Sequence, residues 1–291
     1  MFAISHSVGQ MFAADDLPNA EAQLGIEVSL LLNFISALAG VEERDGRWHV
    51  TTHYQQAFRR AAGHARIVHT ISLSDADIRD ANGEPLVPGV TNVLAYINGG
   101  HADGPLQAQA RFLADLPQVV AIRYGQEQNG DWMNHGMQPQ AFKAAFRRIH
   151  RLFRQAGNTT PFIWSPNVVL AGVDPIEPYY PGDAYVEILG LDSYLREGSG
   201  GPDFASSTAP TLESLKRIAP EKPIWLVEVG IHSSRNNRAG LVEAMFDYLA
   251  SEPRIEMLGY WQRDEYRLHS APELAALRRG LAGWRAAVQQ R

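Results

Sequence analysis

Two glutamates close apolar, β-rich runs in this chain. Glu127 follows Val119-Val120-Ala121-Ile122-Arg123-Tyr124-Gly125-Gln126, and Glu228 ends the run Pro223-Ile224-Trp225-Leu226-Val227. A pair of carboxyl groups facing one cleft is what glycoside hydrolysis needs: one protonates the leaving oxygen, and the other attacks the anomeric carbon or activates water. Arg123 stands two strand periods before Glu127, so alternation points both side chains to one face. A cation there keeps the attacking carboxylate ionised, while Glu127 needs a raised pKa to hold its proton. Trp132, Trp164, Tyr179, Tyr180, Tyr194 and Trp261 fall near the ends of the same runs and offer flat faces for sugar rings.

Other chemistries find little support. With Cys 0, disulfides, thiolate metal sites and a cysteine nucleophile are excluded. No G-x-S-x-G elbow supports a serine hydrolase, and no G-x-G-x-x-G after the first strand supports a dinucleotide site. Among the 10 histidines there is no H-E-x-x-H and no Asp/His pair at ligand spacing, so no metal and no cofactor are expected. His69 and His101 are the histidines expected to face a substrate.

The elements that must position these groups alternate. Strand-like runs are read at Phe2–Ser5, Trp48–Thr52, Arg66–Leu73, Asn92–Ile97, Val119–Tyr124, Phe162–Pro166, Tyr185–Leu191, Pro223–Val229 and Ile255–Trp261. Helical patterns lie between them. In 139–156, Phe142, Phe146, Ile149 and Phe153 form one apolar face, opened by Pro139 and closed by Gly157. Residues 105–116, 211–219, 238–250 and 271–289 read similarly. Repeated β-then-α with near-continuous apolar strands means a parallel sheet covered by helices. Over 291 residues this favours a closed single (β/α)8 TIM barrel, with 1–291 as one domain. In that fold catalytic groups gather at the C-terminal strand ends. The stretches 74–91 and 168–184 read as irregular, and 168–184 with 196–210 is expected to set the choice of substrate.

Lys+Arg 26 against Asp+Glu 32 gives a net charge of −6 with no basic block, which argues against nucleic acid or an anionic membrane as the main partner. No apolar run is long enough to span a bilayer. The start has no basic segment and no long apolar one, so the expectation is a cytoplasmic chain, or a secreted one if a leader has been removed. A monomer is the default.

Four ordered blocks carry a specific resemblance. Arg123-x-x-Gln126-Glu127-x-Asn129-Gly130-x-Trp132 is followed by Trp164-Ser165-Pro166-Asn167. Next comes Tyr179-Tyr180-Pro181-Gly182-Asp183-x-Tyr185-Val186, leading to Gly190-x-Asp192-x-Tyr194, and then Glu228-x-Gly230. Together they resemble glycoside hydrolase family 26, known mainly for endo-β-1,4-mannanases and a member of the retaining (β/α)8 clan A. The resemblance implies Glu127 as general acid/base and Glu228 as nucleophile, with Arg123 and Tyr194 orienting Glu228. It further implies that Asp192 and Trp132 line the sugar site nearest the cleavage point, with Trp261 as the platform beneath that sugar. Tyr179 and Tyr180 are candidate substrate platforms. Gln126 stands where the mannanases of the family usually carry His; its amide can still reach a sugar hydroxyl.

The resulting expectation is a retaining endo-acting enzyme on a β-linked, mannan-like polysaccharide or oligosaccharide. Two alternatives stay open: a related hydrolase acting on a bacterial exopolysaccharide or other β-glycan, and a carbohydrate-binding barrel without catalysis.

Overall fold

The computed structural model describes residues 2–8, 16–62, 64–198 and 201–290. The chain runs β1 (Phe2–Val8), α1 (Asp16–Leu24), β2 (Leu30–Ser36), a hairpin of β3 (Val41–Arg44) and β4 (Arg47–Val50), then α2 (Thr52–Ala62). It continues through β5 (Arg66–Ser72), α3 (Val93–Asn98), α4 (Asp103–Ala114), β6 (Val119–Tyr124), α5 (Pro139–Gln155) and β7 (Phe162–Trp164). Single helical turns at Glu177–Tyr179 and Asp183–Tyr185 lead to β8 (Ile188–Leu195), α6 (Phe204–Ile218), β9 (Ile224–Ile231), α7 (Arg238–Ser251), β10 (Ile255–Trp261) and α8 (Ala271–Gln289).

The strands close a barrel in the order β1-β10-β9-β8-β7-β6-β5-β2, with β3 and β4 outside it as a separate antiparallel pair. Every barrel pairing is parallel. The (β/α)8 expectation therefore holds. Two strand assignments do not. The apolar run Leu30–Ser36 supplies the second barrel strand, whereas Trp48–Thr52 contributes only the hairpin strand β4. Asn92–Ile97 is helical, because the Asn92 side chain accepts from the backbone N–H groups of Leu94 and Ala95 and Asp75 accepts from that of Val93. Those caps satisfy N–H groups that an extended segment here would leave unpaired.

Alternation along the strands sorts two cores. Leu30, Leu32, Phe34, Val68, Ala121, Ile163, Ile188, Trp225, Val227 and Met257 fill the barrel interior, and the opposite strand faces pack on the helices. α5 begins at Pro139 and buries Phe142, Phe146, Ile149 and Phe153, as its periodicity requires. At the C-terminal mouth the inward side chains change from apolar to polar, and there the candidate groups gather.

Candidate active site

Arg123 is the inward residue that follows Ala121 on β6, and it is wholly buried. Its guanidinium donates to Glu228 Oε1 and Asp192 Oδ2, and at 3.1 Å to Ser165 Oγ. Ser165 in turn donates to Asp192 Oδ1 at 2.8 Å. A buried cation between two carboxylates needs such pairing, since each ion would otherwise lose several kcal/mol of hydration uncompensated. Burial disfavours the guanidinium charge, but Asp192 and Glu228 outweigh it and hold the Arg123 pKa up. Burial also pushes Asp192 upward, against the pull of Arg123.

Glu228 lies within β9, and a bulge aims it. Leu226 pairs with Leu191, yet Glu228 pairs with Asp192, so β9 carries one residue more than its neighbour here. The same excess appears against β10, where Leu226 faces Leu258 but Val229 faces Tyr260. Val227 already points into the barrel. The extra residue resets the alternation and brings Glu228 to the cleft as well. There it accepts from Arg123 on Oε1 and from the Tyr194 hydroxyl on Oε2.

Glu127 is placed differently. β6 ends at Tyr124, and both Gly125 (φ 63°) and Glu127 (φ 54°) adopt the left-handed conformation. The strand-period argument that linked Arg123 to Glu127 therefore fails; the tight turn aims the carboxyl. A left-handed glutamate is uncommon, costs on the order of 1 kcal/mol, and persists only where its surroundings over-determine it. Those surroundings are explicit. The Glu127 N–H donates to the Ser165 carbonyl at 2.9 Å, and its own carbonyl accepts from Gly130 at 3.0 Å. His135 Nε2 meets the Gln126 carbonyl at 2.8 Å. Both carboxyl oxygens accept as well: Asn167 Nδ2 donates to Oε1, and Trp132 Nε1 donates to Oε2 at 2.7 Å. Burial, and then the charge of Glu228, raise the Glu127 pKa against the bonds from Trp132 and Asn167 and the field of Arg123.

The cleft is a cavity of about 360 Å³ into which Glu127, Glu228, Gln126, Tyr194 and Trp261 open. Trp261 meets Phe34 edge-on at 5.9 Å and Tyr194 at 6.4 Å. A second cavity of about 230 Å³ extends the cleft past Trp132 and Asn167. Trp132 is 48% exposed, an unusual setting for an indole and one that suits a sugar platform. Among the described residues no cluster of metal-ligating side chains occurs and no helix is long and apolar enough to cross a membrane.

Residues 106–223, which include Arg123, Glu127, Asn167 and Asp192, match Glycosyl hydrolase family 26. Over these residues the chain is similar to that family. It is 31% identical over 123 residues to mannan endo-1,4-beta-mannosidase A and B of Caldalkalibacillus mannanilyticus, covering 38% of this chain and 22% of that protein. The match thus spans about a fifth of that curated relative, 22% of its length. The catalytic domain of a family 26 endo-beta-1,4-mannanase from Bacillus sp. JAMB-750 superposes with a TM-score of 0.69 at 16% identity, over 99% of this chain and 86% of that one. A family 26 beta-mannanase from Bacteroides ovatus gives 0.67 at 17% identity, over 99% and 88%. At these identities the structural likeness concerns the fold.

Several expected substrate contacts lie elsewhere. Tyr179 is fully buried outside the barrel, against Phe142, with its hydroxyl on Asp174. Tyr180 packs edge-on to Trp164, which alternation turns toward the helices. His69 is buried on the outer face of β5, 5.8 Å from the Phe58 ring, and burial lowers its pKa to about 3. His101 sits between α3 and α4 against Tyr96, away from the cleft lining. Asp192 and Arg123 are wholly buried and absent from the cleft lining; Arg123 holds Glu228, and Asp192 holds Arg123. Of 196–210, residues 199 and 200 lie outside the described residues, and α6 already begins at Phe204. Phe34, Ser72, Met133, Arg196 and Tyr266 also line the cleft without having been singled out. Phe34 follows from recognising Leu30–Ser36 as a strand; Tyr266 sits in a loop turn that carries no pattern.

Proposed function

We propose that this family 26 barrel is a retaining glycoside hydrolase that cuts β-mannan-type polysaccharide at internal linkages. The observation that carries the reading is the unequal environment of the two glutamates. Glu127 is buried, raised in pKa and touched only by neutral donors, which suits the group that must deliver a proton. Glu228 is held by a guanidinium and a phenol, which suits the group that must attack.

In the first step a Glu228 oxygen bonds to the anomeric carbon as the glycosidic bond breaks, and Glu127 gives its proton to the departing oxygen. In the second, Glu127 takes a proton from water, the water oxygen bonds to the anomeric carbon, and Glu228 leaves. The cleft, extended past the exposed Trp132, accommodates a chain running through it, in keeping with endo action. Mannan is supported by the curated relative and by the structures of similar fold.

Gln126 opens into the cleft and favours a second reading, a β-glycan other than mannan. Incubation with β-mannan, glucomannan, β-glucans, β-1,3-xylan and bacterial exopolysaccharides, scored by new reducing ends beside Glu228→Gln, separates the readings. Release from mannans that disappears in the variant is the expected result. Release only from another polymer keeps the mechanism and discards mannan; retained binding without any release points to a sugar-binding barrel.

A further inference from the structure

Gly230 carries no functional group, yet no other residue fits its place. Beyond the bulge of β9 it is the next inward position after Glu228, and it pairs with Tyr194. A Cβ on Gly230 would lie 2.6 Å from Tyr266 Cδ1 and 2.8 Å from Tyr194 Cδ1. Only glycine lets these two rings close over the strand, with their centroids 5.0 Å apart. The Arg196 guanidinium lies over both, 5.3 Å from the Tyr194 ring and 6.0 Å from that of Tyr266. One ring of the pair bears the hydroxyl that donates to Glu228, and the other lines the cleft beside it.

Tyr266 stands in a single helical turn, Asp264–Tyr266, beyond β10. The turn opens at a left-handed Asp264 (φ 48°), a conformation that persists only where its surroundings fix it. Several bonds do so. Buried Arg238, paired with Glu273 at 2.9 Å, donates to the Tyr266 and Arg267 carbonyls at 3.0 and 3.1 Å. The Tyr260 hydroxyl also donates to the Tyr266 carbonyl at 3.1 Å, and the Ser233 N–H donates to that of Glu265 at 2.7 Å. A binding group needs this kind of rigid support. The Tyr266 side chain itself is half-buried. Burial raises its pKa, and the charge and hydrogen bond of Arg196 oppose that rise. A phenol oxygen that accepts from a cation gives its own hydrogen more readily to a further acceptor.

We propose that Tyr266 is a further substrate-binding residue: its hydroxyl donates to a hydroxyl of the neutral sugar seated on Trp261, and its ring keeps Tyr194 on Glu228. The inference rests on the hydrolytic reading, with Trp261 as the platform. Trp261, Tyr194 and Tyr266 open into one cavity, and Trp261 meets Tyr194 edge-on at 6.4 Å. A sugar lying on an indole gives the ring its C–H face and turns its hydroxyls to the edge, where a phenol can meet them. A neutral donor suits a neutral sugar.

The test is steady-state hydrolysis of β-mannan, or of the polymer in the panel above that the native chain cuts, by the full chain and its Tyr266→Phe and Tyr266→Ala variants. Losing the hydroxyl alone removes a contact made equally by bound substrate and transition state. Tyr266→Phe should therefore raise KM about three- to tenfold and leave kcat within about twofold of native. Tyr266→Ala also releases the Tyr194 ring, so kcat should fall about tenfold or more besides. Native kinetics in Tyr266→Phe, or a lowered kcat at native KM, overturns the binding role. A native kcat in Tyr266→Ala overturns the hold on Tyr194. Tyr266→Phe keeps the ring and its packing, so it decides the binding role whatever Tyr266→Ala does to folding. A native chain that cuts nothing ends the hydrolytic reading and this inference with it, whereas a cutting chain with an unaffected Tyr266→Phe variant ends this inference alone.

Discussion

The end of β6 and the bulge of β9 present the same side chain to the same cleft by opposite means. Glu228 stays in extended backbone, and one extra residue in its strand turns it inward. Glu127 leaves its strand, and a left-handed backbone turns it inward. The first is then gripped by Arg123 and Tyr194, the second by an indole and an amide. The difference teaches that residue type does not set a carboxyl group's role. Neighbours do, and an irregularity in the backbone decides which neighbours are met.

The strongest way to break the comparison is Glu228→Gln, which removes the attacking group. Turnover should fall by more than ~10⁴-fold, as expected when the nucleophile of a covalent mechanism is lost. A loss no larger than that of Glu127→Gln would mean the roles are not distinct. Glu127→Gln should cost about 10²–10⁴-fold on polysaccharide, the usual contribution of a positioned acid or base. The loss should shrink on an aryl glycoside whose leaving group needs no proton, and added azide should restore turnover. If all substrates suffer alike, Glu127 is not the acid.

Arg123→Met attacks the side that Glu228 shares with Asp192. It leaves buried carboxylates without their cation, and denaturant unfolding should show a loss of about 3–5 kcal/mol. Gly136→Ala attacks the other side. Its Cβ would lie 1.9 Å from the Gly130 carbonyl, inside the loop that holds Trp132, so a loss of about 1–3 kcal/mol is expected. Activity should fall with it, whereas a neutral result would show that the loop relaxes freely.

The mildest change sharpens the comparison through pH. Because Glu127 must be protonated to act, kcat/KM should decline as pH rises through its raised pKa. The Trp132 N–H favours the ionised form of Glu127, so Trp132→Phe should move that alkaline limb to higher pH. A shift to lower pH would show that the indole bond does not act as described.

Much of this was legible in the sequence. The alternation of apolar runs and helical faces gave the barrel, and the motif blocks gave both glutamates, Arg123, Tyr194 and the exposed Trp132. Leu30–Ser36 escaped because a short apolar run has no period that separates strand from buried helix. Asn92–Ile97 misled because its capping partners include Asp75, remote in sequence. The site's main surprise was also local geometry. The resemblance placed Asp192 beside the sugar, whereas the structure sets it under Arg123, and no pattern announces the bulge that brings Glu228 to the same layer. Tyr179 and Tyr180 looked like platforms because aromatic pairs serve cores and clefts alike.

The division of labour between the two glutamates is tested most directly by the stereochemistry of the first product. Proton NMR during cleavage of a β-1,4-linked mannooligosaccharide reports the anomer before mutarotation. Glu228 as nucleophile predicts that the new reducing end forms as the β anomer and only later equilibrates. Initial release of the α anomer would mean direct attack by water and would contradict the covalent role given to Glu228.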